Sequence, residues 1–176
     1  GFNGSTGMSK IDGDTFETIA SSQNNTLEYN NGTADVRYIY TSDAVKNNLT
    51  KIDKQNFYGF VSTYGSLGSQ TTNFSYVQEI AVDTADDGNI YIFDHDNNRI
   101  KVHKKKDLIF VSQYGTLGIN TTSFYDPTGI DVDGKYAYVG DDTNQRIVKF
   151  TKSTFGYVTE ASLVMNTLGN TSVKFD

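Results

Sequence analysis

Residues 60–83 read FVSTYGSLGSQTTNFSYVQEIAVD, and residues 110–133 read FVSQYGTLGINTTSFYDPTGIDVD. The two stretches align without a gap. Phe60, Val61 and Ser62 match Phe110, Val111 and Ser112; Tyr64, Gly65, Leu67 and Gly68 match Tyr114, Gly115, Leu117 and Gly118. Thr71, Thr72, Phe74, Ile80, Val82 and Asp83 match Thr121, Thr122, Phe124, Ile130, Val132 and Asp133. Self-similarity at such a spacing marks a chain of repeated supersecondary units, each too small to bury its own apolar face.

Working outward, each unit breaks into four short β-forming runs. In the clearest unit these are residues 78–83, 89–94, 99–103 and 108–114, separated by Thr84-Ala85-Asp86-Asp87-Gly88, Asp96-Asn97-Asn98 and Lys104-Lys105-Lys106-Asp107. Asn and Asp favour turns because they bond their own backbone and tolerate left-handed conformations. The next unit repeats the plan at 128–133, 135–140, 146–151 and 155–159, and Asp94 to Ile100 recurs as Asp141 to Ile147. A more degenerate unit precedes both, at 27–30, 36–41, 49–53 and 58–64; Asp43 and Asn47-Asn48-Leu49 occupy its turn motif, without the Arg. Four-stranded meanders repeated in this way predict an all-β propeller of antiparallel blades.

Ser9-Lys10-Ile11-Asp12 lines up with Thr50-Lys51-Ile52-Asp53, so residues 8–20 read as the last two strands of an earlier blade. Residues 172–176 read as the first strand of a later one. The expected organisation is a partial blade over 1–24, blades over 25–70, 71–122 and 123–162, and the first strand of a further blade over 163–176. An unclosed row of blades leaves apolar faces needing cover. Either the sequence is a segment of a longer propeller, or half blades pair between chains into a closed dimer or an open polymer.

Pro127-Thr128-Gly129-Ile130-Asp131-Val132-Asp133 and the segment from Asp94 to Ile100 resemble the NHL-repeat family of β-propellers. The resemblance spans about residues 25–160; Val77 and Glu79 replace its Pro and Gly in the second unit. It implies that Asp94, Asn97 and Arg99, and likewise Asp141, Asn144 and Arg146, brace the turn between strands. Asp94-x-Asp96-x-Asn98 also imitates the opening of a calcium loop, but Arg99 stands where that loop needs Gly and Lys105 where it needs Glu. Asp83 and Asp133 read as turn caps.

The rest of the sequence argues against chemistry more than for it. The chain has 176 residues, a net charge of −6 and no cysteine, which removes disulfides, thiolate catalysis and Cys-ligated zinc. An acidic balance disfavours nucleic acid as a partner, and no apolar run is long enough for a membrane span. No secretory leader is legible, and a mature chain would lack one. His95 and His103 are the only histidines, and Glu occurs only at 17, 28, 79 and 160. The multi-histidine zinc set of related propeller lyases and the Glu-Asn-Asp calcium set of propeller lactonases cannot be assembled. Glu79, on a channel-facing strand, is the best single acid, but acid–base work usually needs a partner. Lys104-Lys105-Lys106 reads as a solvated turn. Tyr38, Tyr40, Tyr91, Tyr136 and Tyr138 recur at matching strand positions and read as inter-blade packing; aromatics exposed on one rim would point to binding instead.

The most informative local signal is N-x-S/T, which occurs at Asn3, Asn24, Asn31, Asn48, Asn73, Asn120 and Asn170. That is about twice the chance expectation for this composition, and Asn48, Asn73 and Asn120 fall in expected turns able to carry a sugar. The expectation is an extracellular or cell-surface NHL-type β-propeller glycoprotein that is not an enzyme. It would need no cofactor, carry N-linked glycans, and act by contacting a protein or glycan. The alternatives are a subunit of an extracellular fibre that assembles with copies of itself through incomplete terminal blades, and a fragment of a propeller enzyme whose active site lies elsewhere.

Overall fold

A computed structural model describes residues 9–11, 18–21, 29–55, 60–85, 87–154, 156–165 and 171–175. All regular structure is β, apart from one 3-10 turn at His95–Asn97. The strands are β1 (Ser9–Ile11), β2 (Thr18–Ser21), β3 (Tyr29–Ala34), β4 (Tyr38–Asp43), β5 (Asn48–Asp53), β6 (Phe60–Tyr64), β7 (Val77–Val82), β8 (Asn89–Asp94), β9 (Arg99–Lys104), β10 (Phe110–Tyr114), β11 (Pro127–Val132), β12 (Tyr136–Asp141), β13 (Arg146–Thr151), β14 (Tyr157–Met165) and β15 (Thr171–Phe175).

They form antiparallel meanders in sequence order: β3 to β6 is blade I, β7 to β10 blade II, and β11 to β14 blade III. The innermost strands β3, β7 and β11 lie side by side, so the blades are arranged radially. Residues 65–76 carry the chain from the outer strand of blade I to the inner strand of blade II, and residues 115–126 do the same from II to III. These two loops, with the strands on either side of each, are the stretch that repeats in sequence. β1 and β2 pair with each other, as expected for the end of an earlier blade.

One expectation is corrected. Residues 171–175 do not open a further blade; β15 pairs antiparallel with β14, with Leu163 opposite Val173, and adds a fifth strand to blade III. Pairing with the strand just before it in the chain closes only a short loop, whereas a new blade needs further strands to pair with.

Blade II shows why the row holds together. Alternate residues of a strand face opposite sides of its sheet. Ile90 and Ile92 of β8 therefore join Tyr40, Leu49, Phe74 and Leu108 in the core between blades I and II. Tyr91 and Phe93 join Ile100, Val102, Phe124, Val139, Val148 and Phe150 in the core between II and III. Both faces of β8 are buried. In blade III only one face is: along β13, Arg146, Val148 and Phe150 are buried while Ile147, Lys149 and Thr151 are half-exposed.

Candidate binding surface: two clamped loops on one rim

The loop over 65–76 is short, and its shape is imposed by a glycine. Gly65 has φ +102°, and a Cβ there would lie 2.4 Å from the Phe74 ring. Gly115 has φ +106° and stands 2.6 Å from the Phe124 ring by the same measure. Only glycine fits a left-handed backbone pressed onto an aromatic face. Gly68 N donates to Phe74 O at 2.8 Å and Phe74 N to Ser66 O at 2.8 Å, and Gly118, Phe124 and Thr116 repeat both bonds at 2.9 and 2.8 Å.

Each loop is then gripped by the blade it leads into. Asp94 sits at the base of the turn, wholly buried, and accepts Ser75 N at 2.6 Å, Asn97 Nδ2 at 2.9 Å and Arg99 Nε at 2.7 Å. Asn97 also donates to Gly68 O at 3.1 Å, and Arg99 to Gln70 O at 3.1 Å and Asn73 O at 3.4 Å. Asp141 takes Tyr125 N, Asn144 Nδ2 and Arg146 Nε at 2.7, 2.8 and 2.8 Å. Asn144 reaches Gly118 O, and Arg146 reaches the carbonyls of Ile119, Asn120 and Ser123. The residues read from sequence as a turn brace thus hold the turn and also read the backbone carbonyls of a loop about 26–29 positions earlier. The Asp94 carboxylate has these protein donors around it, the opposite of a cation site.

Blade II adds Lys101, whose Nζ donates to the carbonyls of Gln70, Thr71 and Asn73. Burial, with help from the Arg99 charge, pulls Lys101 down to about 8. Below that pH it is charged and fills the loop's concavity with donors. Blade III has Val148 at the matching position, so its loop relies on Arg146.

Clamped from beneath, the loops turn their apolar side chains outward. Leu67 is 68% exposed, Leu117 62% and Ile119 77%. Tyr76 and Tyr125, at the far ends of the same two loops, are exposed as well. Tyr76 packs edge-on against His95, with centroids 5.5 Å apart, and His95 places Nε2 2.6 Å from Asp126 Oδ1 and Nδ1 3.0 Å from Asp96 Oδ1. Neighbouring blades are latched along the same rim: Asn47 Oδ1 accepts Tyr76 N at 2.6 Å, and Asn98 Oδ1 accepts Asp126 N at 3.3 Å. The sequence reading missed this apolar rim. Its signal was present in the matched pair Leu67 and Leu117, which follow a glycine where no strand register would bury them.

The sequon asparagines separate by environment. Asn3, Asn24 and Asn170 lie outside the described residues. Asn31 stands on inner strand β3, and its Nδ2 donates to Glu79 Oε2 at 2.9 Å. Asn48 opens β5 rather than lying in a turn, and its buried Oδ1 lacks a hydrogen-bond partner. Asn73 Nδ2 is committed to Ser66 Oγ at 2.8 Å. Asn120, with Thr121 and Thr122, is exposed at the crest of the second loop.

Glu79, on inner strand β7, is half-buried. Burial raises its carboxyl pKa, against the bond from Asn31. Among the described residues no group of three or more His, Asp or Glu could hold a metal. His103 lies in the interface between blades I and II, against Tyr64, Phe74 and Phe110. The lysine run departs from expectation: Lys104 and Lys106 are exposed, but Lys105 is buried, with Nζ 3.1 Å from Asp35 Oδ2. A carboxylate from the neighbouring blade offsets the cost of burying it.

Radial, four-stranded antiparallel blades around shared inner strands define a β-propeller. Solved structures agree on the fold. The chain is similar to hydrazine synthase of Kuenenia stuttgartiensis at 15% identity and TM-score 0.62, over 94% of this chain and 49% of that one. It is similar to streptogramin B lyase at 15% identity and TM-score 0.66, over 94% and 50%. It is also similar to the dihydro-heme d1 dehydrogenase NirN at 12% identity and TM-score 0.67, over 90% and 33%. The chain spans half or less of each of these propeller chains. No family model matches the sequence, and no curated protein is similar to it.

Proposed function

We propose that this chain is a binding portion of an extracellular, N-glycosylated, NHL-like β-propeller that contacts a protein or glycan and catalyses no reaction. The observation that carries this reading is the rim: Leu67, Leu117, Ile119, Tyr76 and Tyr125 are held outward by loops whose carbonyls are fixed from below. Apolar groups held outward on rigid loops lose little entropy on binding. Exposed tyrosines suit both aromatic stacking on sugars and protein contacts. Glu79 supports the non-catalytic part of the proposal, since its hydrogen-bonded neighbour is an amide and not a second acid or base.

Asn120 supports glycosylation, because a sugar there projects into solvent without displacing a bond of the fold. It stands on the same loop as Leu117 and Ile119, so a glycan would border the binding surface. The test is binding of the full chain to an immobilised oligosaccharide panel and to intact-cell surfaces, compared with the L67S/L117S/I119S variant. Saturable binding that the triple variant loses supports the reading. Binding that the variant keeps moves the site off the rim.

A further inference from the structure

Three lysines are buried among the described residues, and two of them have a counter-ion. Lys105 Nζ lies 3.1 Å from Asp35 Oδ2, and Lys101 Nζ lies 3.9 Å from Asp94 Oδ2. Lys51, 2% exposed, forms no ion pair among the described residues. Its Nζ donates to Lys105 O at 2.8 Å and Lys106 O at 2.7 Å, and sits 3.9 Å over the Tyr38 ring. Asp35, the carboxylate of the same joint, is already engaged. Besides Lys105 it takes Arg37 N at 2.8 Å, Tyr38 N at 2.7 Å and Tyr40 OH at 3.1 Å. A buried ammonium met only by neutral groups costs stability, and burial draws Lys51 below the ordinary lysine value. An anion from outside the chain would complete it.

There is room for one. A cavity of about 370 Å³ opens beside Lys51, in the size range of small-ligand sites. It lies between the β3–β4 turn of blade I and the β9–β10 turn of blade II, at the opposite ends of the strands from the clamped loops. Val36, Arg37, Tyr38, Lys51, Asp87 and Lys106 line it, together with the Asp35–Lys105 pair. Four cationic side chains thus face two carboxylates, a local excess of positive charge in a chain whose net charge is −6. Arg37 pairs with Asp53 at 3.5 Å, and its planar fork of five N–H groups has donors left for a second carboxylate. Lys106 is exposed and forms no ion pair among the described residues.

The joint between blades II and III lacks this feature. Its cavity, about 290 Å³, is lined by Asp83, Tyr91 and Lys152 among others, and Lys152 pairs with Asp83 at 2.7 Å. By strand register Asn89 and Val102 stand where blade I has Tyr38 and Lys51. Two blades therefore join without the additional buried cation, so joining them does not account for Lys51.

We propose that the cavity between blades I and II binds a sugar acid, with its carboxylate on Arg37 and Lys106 beside the Lys51 charge and its ring against Tyr38 and Val36. Tyr38 is half-exposed and Val36 90% exposed, so both offer apolar surface to a ring. Asp87, exposed at the edge, accepts hydroxyl groups and repels a second negative charge. That combination favours a hydroxylated monocarboxylate over a phosphate or sulfate ester. The site goes beyond the rim reading and uses the other end of the blades, so either can fail alone.

Calorimetric titration of the full chain at low salt tests it, with sodium glucuronate and a disaccharide ending in glucuronate as ligands and glucose and glucose 6-phosphate as controls. The expected result is saturable binding of a glucuronate ligand, at least about tenfold tighter than either control. Free glucuronate and the disaccharide separate the two sources of the same chemistry, a free acid and a glycan end, and binding of either supports the site. K51M, which keeps the stem but removes the charge, weakens binding by at least about tenfold. R37Q, at a largely exposed side chain, weakens it by about threefold or more while the chain stays folded. Amide shifts on titration fall at Arg37, Tyr38 and Lys106, whereas the L67S/L117S/I119S variant binds as the wild type does. Absence of saturable glucuronate binding overturns the proposal. So does equal binding of glucose, binding that R37Q and K51M leave unchanged, or shifts confined to Asn89 and Lys135 at the other joint.

Discussion

Arg99 holds Asp94 at 2.7 Å with Nε while another guanidinium nitrogen reaches Gln70 O at 3.1 Å, so one side chain joins a turn of blade II to the loop that enters it. Arg146 and Asp141 repeat the relationship at 2.8 Å, with Arg146 reaching Asn120 O at 2.7 Å. Both guanidiniums are buried and fully engaged. Removing either leaves a buried carboxylate short of a donor and loop carbonyls unmet. R99M and R146M are each expected to cost about 3–5 kcal/mol, read from urea unfolding of the full chain. A loss within experimental error for both would remove the clamp from the account.

The glycines make a sharper steric prediction. Gly65→Ala forces a Cβ into the Phe74 ring at a positive φ, and Gly115→Ala does the same at Phe124. Each is expected to destabilise by about 2–4 kcal/mol. Gly134→Ala, with nothing within 4 Å of the added carbon, is the control and changes unfolding little.

His103 supplies a pH dependence. It is fully buried, its Nδ1 donates to Leu108 O at 2.8 Å, and its Nε2 has no hydrogen-bond partner. Burial pulls it down to about 4 from the ordinary 6.5. The native state therefore binds fewer protons than the unfolded chain between these values. The stabilisation is complete above pH 6.5 and is lost as the pH falls through 4, amounting to about 3 kcal/mol. H103F, which copies Phe150 of blade III, should flatten this part of the profile. Glu79, raised by burial, acts in the opposite sense, losing stability as the pH rises, so the comparison between wild type and H103F isolates the histidine. An identical pH profile for both would place the dependence elsewhere.

Among the described sequons, the proposed sugar site is Asn120. Expressed through a eukaryotic secretory route, the chain is expected to lose one glycan's mass on N120Q and none on N48Q. The reverse result would contradict the placement of Asn48 at the start of β5.

Blades were legible because their information is local. The β-former-rich run NIYIFD, Asn-rich turns and the fifty-residue echo place the strands to within a few residues. Partners across blades were not. Lys152 meets Asp83 at 2.7 Å across a sequence separation of 69, and Lys105 is buried only because Asp35 of another blade stands over it. The reading that made Lys104-Lys105-Lys106 a solvated turn failed at its middle residue for that reason. β15 was misassigned because its alternation fits an outer-edge strand as well as an inner one. The apolar rim escaped notice because Leu67 and Leu117 look like core residues until Gly65 and Gly115 turn the backbone.

Hydrogen exchange on the full chain tests most directly the claim that the loops are rigid platforms held from below. The amides of Gly68, Phe74, Gly118 and Phe124 are expected to be protected to the level of β8 and β9. R99M should release only those of Gly68 and Phe74, and R146M only those of Gly118 and Phe124. Fast exchange of all four in the wild type, or an equal loss at both loops in either variant, would contradict it.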